Sequence, residues 1–169
     1  MSRPAIRTAV VPASEILGLR WEVLRPGLPR EAAVFPEDAD PAAFHVAAYE
    51  ADAGEGAPVL GCATFFPDPF PGAAATAYRF RGMASAPAAR GRGFGAAVLR
   101  AGTAEAAARG AGLLWCNGRT EARGFYERHG FAVHGGEFVI EGVGPHLVFV
   151  KEIGRGGGSA GRGDAPDRA

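Results

Sequence analysis

The sequence predicts an α/β protein built on a mixed, mostly antiparallel sheet with helices packed against it. Three observations favour this class. Strand-like segments follow one another in the first half, a glycine-rich segment near the middle leads into a helical pattern between two strands, and two strand-like segments close the chain. A helix that connects two strands predicts a parallel pair, whereas short turns predict antiparallel neighbours. The expected sheet therefore has one parallel pair among antiparallel strands.

The first half of the chain predicts one helix and four strands. A strand over residues 5–13 is followed by Ser14, which is expected to begin a helix from Glu15 to about Arg25. The irregular connection after it, residues 26–41, has the length of segments that often border a binding site, and a plain surface loop would have the same composition. The next strands should form an antiparallel meander. They are predicted at residues 43–50, 57–66 and 75–85.

The second half predicts two helices and three strands. The first helix runs from Phe94 to about Arg109, and the apolar segment 113–117 is typical of a parallel strand buried on both faces. Thr120 is the expected N-cap of a second helix over residues 121–129, which a glycine ends. The last strands are predicted at residues 131–135 and 146–153, joined by a connection over residues 136–145.

Length and composition indicate one globular domain. The 169 residues are 47% hydrophobic and 21% charged, with 18 basic and 18 acidic side chains, so the chain has no overall attraction to nucleic acid or to an anionic membrane. The domain should cover residues 1–153, and residues 154–169 should be a disordered tail because they include no side chain able to pack in a core.

Cysteine and histidine usage points to an intracellular protein without a structural metal. Cys62 and Cys116 cannot form a disulfide framework, and both lie in strand-like segments where a free thiol behaves as a small hydrophobic group. The histidines and cysteines lack zinc-site spacings, and no apolar run reaches the ~18 residues of a membrane span. We expect a cytoplasmic monomer or homodimer with no metal, nucleic-acid or membrane partner.

The glycine-rich segment has the composition of a phosphate-binding loop. Gly91, Gly93 and Gly95 lie within five residues immediately before the predicted helix. Glycine allows a ligand to approach the backbone, and the first N–H groups of a helix have no intrahelical partner. A phosphate suits such a position. A flexible turn in a chain with 26 glycines is the alternative.

Two familiar phosphate loops fit poorly. A P-loop needs a lysine directly after its last glycine, and the only lysine is Lys151. Gly91, Gly93 and Ala96 match the dinucleotide fingerprint, but that fingerprint also needs an acidic residue about 20 positions later, at the end of the next strand. The strand here ends in Cys116 and Asn117, so a dinucleotide-binding module is a weaker alternative.

Two motifs resemble the GNAT superfamily of acyl-CoA-dependent N-acyltransferases. Arg90-Gly91-Arg92-Gly93-Phe94-Gly95 resembles its Arg/Gln-x-x-Gly-x-Gly/Ala signature. Leu114–Phe131 is similar to its later segment, in which a strand carries Asn and the next helix carries Phe-Tyr-Glu before Gly-Phe. Residues 136–149 resemble small bacterial members of the ElaA-like type. The resemblance implies a GNAT-like fold whose central parallel strand pair splays at the coenzyme site.

The resemblance implies that acetyl-CoA is the cosubstrate. Its pyrophosphate would bind backbone N–H groups of Arg92 through Ala96, aided by the helix dipole. Backbone groups of Met83 to Ser85 would hold the pantetheine arm, and Arg90 would add charge together with Arg92, unless both are solvated surface residues. Asn117 would bond the coenzyme or serve a structural role at a strand end. The residues assigned to the coenzyme are Met83, Ala84, Ser85, Arg90, Gly91, Arg92, Gly93, Phe94, Gly95, Ala96, Asn117 and Tyr126.

Acyl transfer from a thioester to an amine needs a neutral amine, a polarised carbonyl and a proton for the leaving thiolate. Tyr126 is the family-matched proton donor to the coenzyme A sulfur, and packing on a helix face is its alternative role. For the base, His146 is the first candidate, and a structural histidine in a strand is the alternative. Other groups that could act through water are His45, Glu137 and Glu141.

Arg79 and Arg81 alternate onto one face of a predicted central strand. Burial would demand an anionic partner, which is either a substrate carboxylate or a nearby acidic side chain. The predicted function is an acetyl-CoA-dependent N-acetyltransferase that acts on a small-molecule or peptide amine by direct attack in a ternary complex. A noncatalytic acyl-CoA-binding sensor on the same fold and the dinucleotide-binding module are the alternatives.

Overall fold

The computed structural model describes residues 5–154, which form seven strands and three α-helices. The strands are β1 (Ile6–Val11), β2 (Phe44–Glu50), β3 (Gly61–Pro67), β4 (Ala77–Ser85), β5 (Leu113–Arg119), β6 (Ala132–Ile140) and β7 (Gly144–Glu152). The helices are α1 (Ala13–Leu24), α2 (Phe94–Ala108) and α3 (Arg123–Arg128). Apart from Gly154, the predicted disordered tail lies outside the described residues.

The strands form one mixed sheet in the order β1-β2-β3-β4-β5-β7-β6. The β1–β2, β2–β3, β5–β7 and β6–β7 pairs are antiparallel. The β4–β5 pair is parallel, with Ala77 opposite Leu113 and Arg79 opposite Trp115, and α2 is the crossover between the two strands. The predicted class, a mostly antiparallel sheet with one parallel pair and flanking helices, is confirmed. A dinucleotide-binding module would need several adjacent parallel strands, which the sheet of residues 5–154 does not have.

The chain divides into two compact units. The first contains the described residues up to Phe66 together with Phe80–Ala104, and the second contains Pro67–Arg79 with the described residues from Glu105 onward. Within the described chain, no helix is long and apolar enough to cross a membrane.

Two glycines let α2 lie close against β3 in the first unit. A Cβ at Gly61 would lie 3.2 Å from Phe94 Cβ and 3.3 Å from Val98 Cγ2, and a Cβ at Gly102 would overlap the Phe65 ring. Phe65, Phe94 and Val98 are fully or almost fully buried. Close packing of this kind leaves little freedom for side chains to shift. The helix therefore has a fixed position on the strand, and with it the glycine-rich segment before the helix.

The core of the second unit lies around β5 and β7. Leu114 and Phe149 are fully buried, and the Tyr126 ring of α3 lies 4.6 Å from the Phe149 ring, measured between centroids. Gly130 ends α3 with φ 89°, and the Phe131 N–H donates to the Tyr126 carbonyl over 3.0 Å. This is the predicted glycine ending of the helix, with a hydrophobic residue after it.

Three local predictions are wrong. α1 begins at Ala13 after Pro12, so Ser14 lies inside the first turn and is not the cap. β5 continues through Arg119, because it pairs with β7 along its whole length, so Asn117 lies within the strand. Thr120 begins a 3₁₀ turn, and its hydroxyl donates to the Glu137 carboxylate over 2.8 Å, so it is not the cap of α3.

The predicted connection over residues 136–145 is also wrong, because most of it forms a β-hairpin. β6 continues to Ile140 and β7 begins at Gly144, with the Val143 N–H donating to the Ile140 carbonyl over 2.9 Å. Two glycines after His134 suggested a strand end, but they lie in a register shift between His134 and Phe138. A bulge of this kind bends a strand without ending it.

Candidate functional site

The glycine-rich loop presents backbone donors at the beginning of α2. Gly91 and Gly93 have φ of 79° and 94°, a backbone conformation that favours glycine. The Ala97 N–H donates to the Gly93 carbonyl over 3.0 Å and closes the first helical turn. In a helix that begins at Phe94, the N–H groups from Gly93 to Ala96 have no carbonyl one turn earlier within the helix, whereas the Arg92 N–H, also a predicted donor, already donates to the Ala89 carbonyl over 3.3 Å. These donors lie at the positive end of the helix dipole.

The space beside this loop is open. A Cβ at Gly91 would meet no atom within 4 Å, and a Cβ at Gly93 would meet only Ile6 Cδ1, at 3.7 Å. The Phe94 side chain is buried in the core, so Phe94 can offer a ligand its backbone but not its ring. The loop therefore has the accessible backbone that a bound phosphate needs.

The two arginines of the loop differ in their surroundings. Arg92 Nη2 donates to Glu50 Oε2 over 2.7 Å, and its guanidinium lies 5.2 Å from the Phe94 ring centroid. Arg90 is exposed and follows the short 3₁₀ turn Pro87–Ala89. The charge of Arg92 is thus partly balanced by Glu50, whereas the charge of Arg90 faces solvent.

A glycine-dependent bend precedes the β4 residues assigned to the pantetheine arm. Gly82 has φ 70°, and a Cβ there would lie 2.7 Å from Phe35 Cε2. Directly after it, Met83 and Ser85 are half-buried and Ala84 is buried. A side chain at Gly82 would collide with Phe35, so this path of the backbone depends on glycine.

A buried polar cluster, formed by Arg20, Asp38, His45 and Thr64 and called here the Arg20 cluster, fixes the segment after α1. Arg20 is fully buried, and its guanidinium donates to Asp38 Oδ2 over 2.7 Å, to Asp38 Oδ1 over 3.1 Å and to the Ala33 carbonyl over 2.8 Å. It also donates to the Thr64 hydroxyl. The segment over residues 26–41 is therefore anchored by a buried charge pair, not merely a surface loop.

Burial and charge set the pKa values inside the Arg20 cluster. Burial raises the pKa of Asp38, but the hydrogen bonds from Arg20 and from the Phe35 N–H, with the Arg20 charge, outweigh it and lower the pKa overall. Burial lowers the pKa of His45, the Asp38 charge opposes this, and the Arg20 charge adds to it. His45 Nδ1 lies 2.8 Å from the Thr64 hydroxyl oxygen. The cluster thus holds an ionised Asp38 beside a neutral His45 near neutral pH.

Both arginines of β4 have acidic partners. Arg81 Nη1 donates to Glu37 Oε1 over 3.0 Å, and the Arg81 guanidinium lies 3.9 Å from the Phe35 ring centroid. Arg79 Nη1 donates to Asp68 Oδ2 over 3.3 Å. The structure therefore favours the pairing alternative that the sequence left open for them.

Tyr126 is enclosed on several sides. Its side chain is on α3, the residue is 7% exposed, and its ring contacts those of Phe131 and Phe149. A Cβ at Gly118 would lie 2.7 Å from Tyr126 Cε2 and 2.9 Å from Phe149 Cε2. The ring can occupy this position only because residue 118 has no side chain. Sequence reasoning missed Gly118, whose only signal was its place two residues after the apolar Cys116.

The Tyr126 and Cys116 side chains are near enough for each to shift the pKa of the other. Burial raises the pKa of Tyr126 well above its usual range, and the neighbouring Cys116 adds to the shift. Burial raises the pKa of Cys116 to about 12, although the hydrogen bond with Tyr126 and the charge of Arg79 oppose the shift. Both groups therefore stay protonated near neutral pH.

The second unit places Tyr126 and His146 on opposite faces of β5 and β7. Cys116 is opposite Phe149, on the face that Tyr126 covers. Because side chains alternate along a strand, Asn117 and His146 belong to the other face. The structure thus groups Asn117 with His146 and separates both from Tyr126.

The candidate bases differ in burial and in partners. His146 is 6% exposed, and its Nδ1 lies 2.8 Å from the Gly144 carbonyl oxygen, which requires a proton on Nδ1 and leaves Nε2 as the basic nitrogen of the neutral ring. The Glu137 carboxylate accepts a hydrogen bond from the Thr120 hydroxyl, and Glu141 is exposed in the turn between β6 and β7. Among the described residues there is no group of three or more His, Cys, Asp or Glu side chains that could hold a metal ion.

Sequence and structure comparisons agree with one another. The sequence model of the family described as acetyltransferase (GNAT) domain matches residues 40–133. A relative, the uncharacterized N-acetyltransferase YitI of Bacillus subtilis (strain 168), is 30% identical over 136 residues, 80% of this chain and 88% of YitI. The range matched by the family model, residues 40–133, contains the glycine-rich loop and Tyr126 but not His146.

Two solved structures show the same fold. A GCN5-related N-acetyltransferase from Kribbella flavida has a TM-score of 0.66 at 24% identity, with 88% of this chain and 98% of that chain covered. Escherichia coli ElaA has a TM-score of 0.62 at 14% identity, with 88% of this chain and 99% of that chain covered. At these identities the likeness, including the one to ElaA, concerns the fold.

Proposed function

The chain belongs to the GNAT acetyltransferase family and is an N-acetyltransferase, and from that premise we propose that it transfers the acetyl group of acetyl-CoA to a primary amine by direct attack in a ternary complex. The acceptor in this proposal is a small-molecule or peptide amine, and the protein acts in the cytoplasm as a monomer or homodimer. The observation that carries the proposal is the open glycine loop at the beginning of α2, which lies within the family match.

The coenzyme binds through backbone groups in this proposal. The pyrophosphate accepts hydrogen bonds from the N–H groups that begin α2, where Gly91 and Gly93 leave open space. Arg90, which is exposed, adds positive charge there. The backbone of Met83 to Ser85 holds the pantetheine arm, for which the bend at Gly82 prepares β4. The same proposal includes two further features. β4 separates from β5 beyond their paired residues, and Asn117 forms a hydrogen bond with the coenzyme.

The reaction consists of one bond exchange and two proton movements. The acceptor nitrogen attacks the thioester carbonyl carbon, a C–N bond forms, and the C–S bond breaks. In this proposal Tyr126, which stays protonated near neutral pH, gives the phenol proton to the departing sulfur. His146 is on the face of the sheet opposite Tyr126, so in this proposal it takes a proton from the amine only through water, at Nε2, the nitrogen left basic by the Nδ1 bond to Gly144.

Release of coenzyme A thiol with a panel of amines and peptides tests the activity. The proposal predicts acetyl-CoA-dependent release with at least one primary amine and no release with the matching tertiary amine. A sensor would bind acetyl-CoA without release for any acceptor. A larger increase in melting temperature with NAD than with acetyl-CoA would contradict the coenzyme assignment.

Substitution of the loop tests the coenzyme site separately from turnover. Acetyl-CoA should stabilise the wild-type protein by about 2.7 kcal/mol at a hundredfold excess over its Kd, because it binds only the folded state. Gly93→Glu should abolish this stabilisation, since it places a negative charge where the pyrophosphate approaches. Gly56→Glu is the matched control, because Gly56 also has a positive φ, of 81°, and open space around its Cβ position. Undiminished stabilisation in Gly93→Glu would exclude the loop from the site.

A further inference from the structure

Phe35 has no part in the function proposed above, yet its ring lies against the bend that precedes the pantetheine residues of β4. It is 4% exposed and lies between two 3₁₀ turns of the connection after α1. Resting on the proposed coenzyme site, we propose that Phe35 is a positioning residue for coenzyme binding. It holds the bend of β4 at Gly82 and thereby presents the backbone of Met83 to Ser85 to the pantetheine arm of acetyl-CoA.

The Phe35 ring fills the space that the missing side chain of Gly82 leaves. Gly82 has φ 70°, and a Cβ there would lie 2.7 Å from Phe35 Cε2 and 3.3 Å from Phe35 Cζ. On the carbonyl side, the Cys62 Sγ atom lies 3.9 Å from the Gly82 oxygen. The pairing of β4 with β5 covers Ala77–Arg79, so the bend lies beyond the part of β4 that this pairing holds. Side-chain packing around Gly82 therefore restrains the path of the backbone there.

Two guanidinium groups hold the Phe35 ring in place. The guanidinium carbon of Arg20 lies 3.8 Å from the ring centroid, and that of Arg81 lies 3.9 Å from it. A planar guanidinium is attracted to the face of an aromatic ring. Arg20 also donates to Asp38 over 2.7 Å. Arg81 donates to Glu37 over 3.0 Å. The ring therefore cannot withdraw from Gly82 without disturbing two arginines that are themselves held by carboxylates.

The main chain of Phe35 is fixed as well. Its N–H donates to Asp38 Oδ2 over 2.9 Å, and its carbonyl accepts a hydrogen bond from the Asp38 N–H over 3.0 Å. Asp38, the counter-charge of Arg20, thus also anchors the residue whose ring Arg20 contacts. On the other side, Arg81 and Gly82 are adjacent in β4, and one contacts the ring while the other receives it. A ring held from both sides can transmit the position of the connection to the coenzyme-binding strand.

Two ligands separate this role from a general effect on the fold. ADP contains the pyrophosphate that the glycine-rich loop would bind and lacks the pantetheine arm, whereas acetyl-CoA contains both. Phe35→Leu keeps an apolar side chain and removes the ring. It should raise the Kd for acetyl-CoA roughly tenfold, while the Kd for ADP changes by less than about twofold. Isothermal titration calorimetry measures both constants and needs no acceptor amine.

Phe44→Leu is the matched control. Phe44 is 2% exposed in the same compact unit, and its ring stacks on that of Phe65 with centroids 5.0 Å apart, so the variant should leave both Kd values unchanged. If melting shows that Phe35→Leu does not fold, Arg81→Met replaces it, because Arg81 is partly exposed. Arg81→Met should weaken acetyl-CoA binding by a smaller factor and leave ADP binding unchanged. Glu37→Gln removes the charge partner but keeps the guanidinium on the ring, and it should bind both ligands normally.

Two results would overturn the inference. If Phe35→Leu weakens ADP and acetyl-CoA equally, or weakens acetyl-CoA no more than Phe44→Leu does, the ring supports the unit as a whole. If Phe35→Leu folds and binds acetyl-CoA as tightly as the wild type, the bend at Gly82 does not need the ring. In both cases the proposed coenzyme site stands. A wild-type protein that fails to bind acetyl-CoA, or fails to bind ADP, would instead overturn that site itself.

Discussion

The Arg20 cluster and the Tyr126–Cys116 pair bury titratable groups in opposite ways. Arg20 and Asp38 are buried as charges, each compensated by a two-bond contact with the other. Tyr126 and Cys116 are buried as neutral acids without a carboxylate or ammonium in the pair. The first arrangement fixes a long connection, and the second keeps both side chains neutral. A buried titratable group needs either a charge partner or a pKa shift that keeps it neutral.

Removing one charge should affect the Arg20 cluster most strongly. Asp38→Asn leaves the buried Arg20 guanidinium without its counter-charge, and such a loss costs about 3–5 kcal/mol of folding stability. Urea denaturation measures the change. Asp68→Asn, which breaks the partly exposed Arg79 pair, should cost at most about 1 kcal/mol. Equal losses in the two variants would show that burial does not distinguish the pairs.

Adding one carbon should disturb the Tyr126–Cys116 pair to a lesser extent. Gly118→Ala places a Cβ 2.7 Å from the Tyr126 ring, so the ring must move, at a cost of about 1–3 kcal/mol. Turnover should fall with it, because the acid is displaced. Gly136→Ala is the control, since a Cβ there would meet nothing within 4 Å, and it should change stability by less than about 0.5 kcal/mol. Wild-type stability and turnover in Gly118→Ala would contradict the close packing.

The smallest effects should appear as slopes of stability against pH, at opposite ends of the range. The His45 pKa is lowered on folding, so the unfolded state takes up a proton first and stability falls as pH drops below about 6.5. The Cys116 pKa is raised from 9.0 to about 12, so its contribution to stability is lost as pH rises from 9.0 toward 12. Denaturation midpoints across pH should show a flatter acid side in His45→Gln and a flatter alkaline side in Cys116→Ala. Unchanged slopes would mean that neither group titrates differently in the folded state.

Local patterns were enough to predict most of the fold. The glycines before α2, the apolar segment of β5 and the glycine after α3 each indicate their element within a few neighbouring residues. Gly135 and Gly136 led to the wrong prediction that β6 ends there, because a bulge and a strand end can have the same composition. Whether glycine bends or ends a strand depends on its pairing with β7, which the order of residues does not reveal.

The candidate site was predictable only where a motif carried it. The loop from Arg90 to Ala96 and Tyr126 follow from short motifs, whereas Cys116 and Gly118 belong to the site only through packing between β5 and α3. Nothing in the local sequence singles out Arg20, because its partner Asp38 is 18 residues away. Charge pairs of this kind depend on tertiary contacts that helical periodicity does not encode.

Turnover of Tyr126→Phe tests the central claim most directly, since this change deletes one oxygen and keeps the ring. With an active acceptor, kcat for coenzyme A thiol release should fall by about 10²–10⁴-fold, and the Kd for acetyl-CoA should be nearly unchanged. Tyr49→Phe, which deletes the phenol oxygen bonded to Glu15, should turn over normally. Normal turnover in Tyr126→Phe would contradict the account, because the proton for the leaving thiolate would then come from another group.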